Sequence, residues 1–239
     1  VLMALYPDLI QLNEAGNQPF VFANHALYMR RYFSYQQQIA LYLQQSNERS
    51  LQLRQAINPA LLNNLLDPLF PATAVTSAEP DWQRLSCAIA ASSSFSVITG
   101  GPGTGKTTTV VKLLLVLQQL QQQQGAAPLT IQLAAPTGKA AVRLRSSIRN
   151  TLDKLPASAE IKSLVPTDVS TLHKLLGARA QSRQFKQNEF EPLALDLLVV
   201  DEASMLDVEL MAALLSALIT TRLTCSGRTF TNSMRKAHP

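Results

Sequence analysis

Cysteine is almost missing from this chain. Cys87 and Cys225 are the two in 239 residues, they stand far apart, and neither belongs to a CxxC pair. That pattern offers no disulfide framework and no zinc site, and it fits a reducing cytoplasm. Long apolar runs are missing too. A stretch such as "VVKLLLVLQQL" is broken by lysine and glutamine well short of the roughly 20 residues a membrane span requires, so no membrane partner is expected. The first residues, "VLMALYPDLIQLNEAG", lack the basic start and small-residue cleavage site of a secretory signal. They also lack an initiating methionine, and the N-terminus is expected to be incomplete. Charge is sparse, at 15% of residues against 46% hydrophobic, which predicts a packed globular protein with one core of ordinary size or one and a half small domains.

The charge that is present leans positive, with a formal net of +5. Such a bias suits a polyanionic partner such as nucleic acid, and it suits an ordinary basic surface equally well. Between residues 139 and 186 the lysines and arginines far outnumber the acids Asp153, Glu160 and Asp168.

The chain divides by pattern. Residues 18–34, "QPFVFANHALYMRRYFS", alternate apolar and polar on both sides of "ANHA" and predict a short hairpin. "YQQQIALYLQQ" and "NPALLNNLLDPLF" follow with helical spacing, the second opened by Asn58 and Pro59 in the N-cap and first-turn roles. The small-residue and proline-rich stretch at 71–81 is the expected domain boundary. Beyond it, helix and strand alternate. "DWQRLSCAIAASS" is helical, "FSVITG" a strand, "KTTTVVKLLLVLQQLQQQQ" a long helix whose glutamine-rich end at 118–124 is expected to be solvated, and "LTIQLAAPT" a second strand. "KAAVRLRSSIRNTLDKL" aligns Leu144, Ile148, Leu152 and Leu155 on one stripe, and "LALDLLVVDE" is a third, almost wholly apolar strand of the kind buried inside a parallel sheet. This order predicts an α/β fold, a parallel sheet with flanking helices, preceded by a small, mostly helical domain with a hairpin.

"GGPGTGKT" satisfies GxxxxGK[ST] between a strand and a helix. Gly100, Gly101, Gly103 and Gly105 let backbone N–H groups point at phosphate oxygens, and the helix that follows adds the positive end of its dipole. Lys106 can reach the terminal phosphates and Thr107 can ligate Mg²⁺. The whole loop, with Pro102, Thr104 and Thr108 included, is the expected ATP-binding stretch. "LLVVDEASMLD" supplies the acids: Asp201 to hold Mg²⁺ from a strand beside the loop strand, and Glu202 to polarise the attacking water. Taken by itself, an acidic pair at a strand end is more often a loop charge; after such a glycine loop it favours hydrolysis of ATP or GTP. "AAPTGKAA" places Pro136, Thr137 and Lys139 at a helix start able to grip a nucleic-acid phosphate. "STLHKLLG" is another helix start, with Thr171 and His173, where a packed surface histidine is the simpler reading of His173.

In this order and spacing, "VITGGPGTGKTTTVVKLL", "LAAPTGKAAVRL", "STLHKLLGA" and "LDLLVVDEASMLD" resemble the first motor domain of RecD-type superfamily 1 helicases, a family that includes the alpha subunits of bacterial exonuclease V. The resemblance covers roughly residues 18–218. It implies a RecA-like fold and a cytoplasmic, ATP-driven motor moving 5′ to 3′ on single-stranded DNA, acting on DNA ends in double-strand-break repair with the beta and gamma subunits, RecB and RecC. It implies that Gln83 reads adenine, although as a residue on a helix it would pass for a solvated glutamine. By the same resemblance Lys106, Asp201 and Glu202 are catalytic, Thr107 and Asp201 hold Mg²⁺, and Pro136, Thr137, Lys139, Thr171 and His173 contact DNA. The domains expected are a docking domain for the gamma subunit at 1–75, the motor domain at 76–218 and a basic tail at 219–239.

That tail breaks the pattern. Where the family continues into a strand ending in Gly-Asp, this chain reads "ITTRLTCSGRTFTNSMRKAHP", with no apolar strand run, and residues from about Ile219 on are expected to be read in a shifted frame or to be otherwise unrelated sequence. With no second motor domain in the sequence, and no arginine finger worth about 10³ to 10⁵ in rate, this polypeptide is expected to bind ATP weakly at most and not to unwind DNA. Two other readings compete with the helicase subunit: an interaction module that uses the nucleotide only as a switch, and another DNA-linked ATPase such as a clamp-loader relative. "APTGKAA" and "TLHKLLG" speak against the clamp loader, which has no need of them.

Overall fold

The protein's structure, a computed structural model, describes residues 8–12, 16–71, 80–179, 182 and 184–227. Most of the expected boundary stretch and the chain from Arg228 onward therefore lie outside the described residues.

The small sheet comes first, as β1 (Ile10–Leu12), β2 (Phe20–Ala23) and β3 (Ala26–Met29). β2 and β3 form the expected antiparallel hairpin, Phe20 opposite Met29 and Ala23 opposite Ala26, while β1 lies parallel to β2. The reversal uses Asn24 and His25 at φ of 51° and 62°, the left-handed pair of a two-residue hairpin turn, a conformation asparagine tolerates well. α1 (Arg30–Ala56) begins where β3 ends, so the second half of the expected hairpin is shorter than the alternation suggested. α2 (Pro59–Leu66) starts as read from sequence: the Asn58 side chain accepts from the Ala60 and Leu61 amides, with Pro59 in the first turn.

The main layer follows as α3 (Trp82–Ala91), β4 (Phe95–Thr99), α4 (Lys106–Gln123), β5 (Ile131–Ala135), α5 (Gly138–Lys154), α6 (Ala159–Ser163), β6 (Val169–Thr171), α7 (Leu172–Leu175), β7 (Leu197–Val200), a 3₁₀ turn at Ala203–Met205, α8 (Val208–Ser216) and β8 (Arg222–Gly227). The five main strands run parallel in the order β4-β8-β7-β5-β6. This is the expected α/β architecture. β7 is buried on both faces: Leu197 and Val199 enter one core cluster, Leu198 and Val200 the other, as a central parallel strand requires. α4 crosses the first cluster with Leu113, Leu114, Leu115 and Val116 all fully buried; a helix apolar all round belongs inside. The helices before residue 71 share these clusters. Leu66 of α2 packs with α3 and α4, and Tyr42 of α1 meets the Phe95 ring edge-on at 6.2 Å.

Three expectations need correction. The sequence after Leu218 was expected to hold no strand, yet β8 is an interior strand of the sheet, hydrogen-bonded to β4 on one side and β7 on the other. It lacks an apolar run because half its buried side chains are polar and find partners on neighbouring elements: the Thr224 and Ser96 hydroxyls lie 3.0 Å apart, and Ser226 donates to Asp201. Asp201 is consequently not beside the loop strand, since β8 separates β7 from β4. The glutamine-rich helix end is not wholly solvated either. Gln118 is 1% exposed; its amide donates to the Leu129 and Leu164 carbonyls and accepts from the Leu129 amide. A buried amide group is tolerated only when bonded in this way.

Candidate active site

Every candidate residue after Gln83 lies at or just beyond the carboxyl end of a parallel strand, the edge where open α/β sheets bind ligands. From β4 the chain enters the glycine loop and then α4. Gly103 and Gly105 hold φ of 76° and 78°, the left-handed region that glycine enters freely. At Gly103 a Cβ would meet nothing within 4 Å, so the loop is open on that side. At Gly105 a Cβ would stand 2.6 Å from Gln83 Nε2, which itself donates to the Thr104 carbonyl at 3.0 Å. Gln83 is therefore a strut beneath the loop. It reaches there because the Asp81 carboxylate caps α3, accepting from the Gln83 and Arg84 amides at 3.0 Å.

Lys106 is half-buried and folds back over the loop, its ammonium donating to the Gly100 carbonyl at 2.8 Å and to the Gly101 carbonyl at 2.7 Å. An ammonium has three protons, so one donor remains for a phosphate oxygen. Thr104 Oγ1 braces the loop by donating to the Gly101 carbonyl at 2.9 Å. The first-turn amides of α4 have no preceding carbonyl within the helix. Open backbone, free amides and a lysine together fit a polyphosphate.

Asp201 and Glu202 follow β7, both half-buried. Ser226, at the end of β8, donates a short hydrogen bond to Asp201 Oδ1 at 2.5 Å, and this fixes the carboxylate. Sequence reasoning missed Ser226, which sits inside the stretch taken as patternless. Glu202 has a φ of 53°, a strained position for a side chain other than glycine. Among the described residues no cluster of three or more His, Cys, Asp or Glu could hold a metal by itself. One hydroxyl, Thr107, and one carboxylate, Asp201, are the sparse oxygen set that suits Mg²⁺ completed by water and phosphate.

Further along the same edge, Ala135 of β5 pairs with Thr171 of β6, so the two helix starts expected to meet nucleic acid are neighbours. Thr137 caps α5, accepting from the Ala140 amide at 3.2 Å, and Thr171 caps α7, accepting from the Lys174 amide at 3.3 Å. Both hydroxyls are thus engaged in holding their helices. Lys139 is exposed and makes no ion pair among the described residues. His173 is exposed and lies edge-on to Phe185 at 5.9 Å, the packed surface position its residue type suggested. The structure therefore gathers Gln83 with the glycine loop, Asp201 with Ser226, and the two threonine caps with each other.

Comparison with known proteins identifies relatives of the chain. Residues 83–227 match the AAA domain family. The chain is 42% identical to the RecBCD enzyme subunit RecD of Haemophilus influenzae over 204 residues, which is 84% of this chain and 30% of that protein. It is 43% identical to the RecBCD enzyme subunit RecD of Mycolicibacterium smegmatis over 56% of this chain and 24% of that one. The ATP-dependent RecD2 DNA helicase of Deinococcus radiodurans is 39% identical over 51% of this chain and 13% of its own length. The chain thus spans less than a third of each of these relatives.

Proposed function

The chain belongs to the AAA domain family, and from that premise we propose that it is the nucleotide-binding part of an ATP-dependent DNA helicase subunit of the RecD type. In this reading it moves 5′ to 3′ on single-stranded DNA, works in the cytoplasm with RecB and RecC, and serves double-strand-break repair. The observation that carries the proposal is one sheet edge on which a glycine loop, a buttressed acidic pair and two capped helix starts stand in a row. RecD-named relatives support the choice of motor.

ATP would lie with its phosphates on the loop of Gly100, Gly101, Pro102, Gly103, Thr104 and Gly105 and on the first turn of α4, with Lys106, Thr107 and Thr108. Gln83 would read the base, giving up the bond its Nε2 makes to the Thr104 carbonyl. Thr107 and Asp201 would hold Mg²⁺, which when bound would neutralise phosphate charge. Glu202 accepts the proton of the water that attacks the γ-phosphorus as the bond to the bridging oxygen breaks. Pro136, Thr137 and Lys139, with Thr171 and His173 beside them, bind the DNA backbone through amides and side-chain charge. The 1–75 segment docks the complex partner.

The test has two arms. A fluorescent ATP analogue should bind the chain in a Mg²⁺-dependent way, and single-stranded DNA should accelerate ATP hydrolysis once the chain is assembled with RecB and RecC. Failure of the first arm sinks the nucleotide reading. Hydrolysis indifferent to DNA sinks the motor reading and leaves a nucleotide switch.

A further inference from the structure

At the opposite end of the sheet, beneath the amino ends of the strands, lies a cavity of about 450 Å³. Leu53 of α1, Ile57 just past its end and Leu120 of α4 give it an apolar wall, and Arg49, Arg222 and Asp196 give it charge. The charges are not matched to each other. Asp196 Oδ2 accepts from the Thr130 amide at 2.7 Å, and no described carboxylate lies within ion-pair distance of Arg222. Arg222 is half-buried, and that burial lowers its pKa. Arg49 donates to the Ile219 carbonyl and to the Ser46 hydroxyl, which leaves its buried Nε without an acceptor. Arg49 also lies over the Tyr42 ring at 5.4 Å; a desolvated guanidinium with no counter-charge is costly, and Arg222, with a second guanidinium on the same cleft, calls for an anion. A planar carboxylate suits the guanidinium fork, and the leucine and isoleucine wall suits an apolar neighbour beside it.

We propose that this cleft docks a peptide segment of a partner protein in which an acidic side chain stands next to apolar ones. The volume accommodates a few side chains. Its place below the strands keeps it off the edge that carries the glycine loop and the capped helix starts, so the proposal stands apart from the nucleotide reading.

The experiment uses two fluorescein-labelled probes against the chain, the peptide Leu-Asp-Leu-Glu-Leu and its uncharged counterpart Leu-Asn-Leu-Gln-Leu, read by fluorescence anisotropy. The acidic probe should bind about tenfold more tightly, and Arg222→Gln should erase the preference. Because Arg222→Gln sits in the central strand and its variant could fail to fold, the exposed rim residue Gln52 gives an independent pair: Gln52→Lys should tighten the acidic probe and Gln52→Glu weaken it, each by about threefold. Equal binding of the two probes, or indifference to both Gln52 changes, overturns the proposal. So does displacement of the acidic probe by single-stranded oligothymidylate, which would make the cleft a nucleic-acid site. Binding of the fluorescent ATP analogue in the same samples reports the nucleotide site separately.

Discussion

The two ends of the sheet's carboxyl edge are built by different means. At the β4 end, the proposed nucleotide site rests on the backbone: Gly103 and Gly105 in left-handed conformations, a lysine folded over the Gly100 and Gly101 carbonyls and Gln83 braced against the turn. At the β5 and β6 end, the proposed DNA site rests on side chains whose own hydroxyls hold two helix starts in place, Thr137 for α5 and Thr171 for α7. A backbone cradle is intolerant of change because its shape is the site. A capped helix start offers amides that survive loss of the cap at a modest cost in helix stability.

Substitutions should expose this difference. Lys106→Ala removes the one ammonium over the loop and should weaken binding of a fluorescent ATP analogue on the order of 10²-fold, with the fold unchanged by circular dichroism. Gly105→Ala forces a side chain to a φ of 78° and a Cβ to 2.6 Å from Gln83 Nε2. It should cost about 1–3 kcal/mol, seen as a lower melting temperature together with weaker nucleotide binding, and a Gly105→Ala, Gln83→Ala double variant should recover part of the loss by removing the clash. Ser226→Ala releases Asp201 and should raise the Mg²⁺ concentration needed for nucleotide binding by about tenfold, while leaving metal-free binding unmoved. Thr137→Ala removes a cap and should cost about 1 kcal/mol of stability with nucleotide affinity intact. If Thr137→Ala weakens ATP binding as much as Gly105→Ala does, the contrast between the two ends is wrong.

Much of this arrangement could be read along the chain. "GGPGTGKT" fixes its own geometry because glycine spacing, a strand before and a helix after are all local, and "LLVVDE" declares a buried strand by its unbroken apolar run. Asn58, Asp81, Thr137 and Thr171 mark helix starts for an equally local reason: a cap bonds amides two or three residues away.

Long-range pairing decided the rest. "RLTCSG" has no periodicity that reveals a central strand, and it becomes one because Ser96 and Asp201, far away in sequence, accept or share the hydrogen bonds of Thr224 and Ser226. Gln118 looks like part of a solvated tract until Leu129 and Leu164 supply its partners. Gln83 reads as a surface residue until α3 is packed beside the loop. The sequence alone determined the helix starts, the apolar strands and the loop proposed to bind phosphate, because those signals are local; only the tertiary structure decided that a half-polar stretch forms the strand between the loop and the acids and which polar side chains are buried, because a buried polar group is satisfied by partners that no local pattern contains.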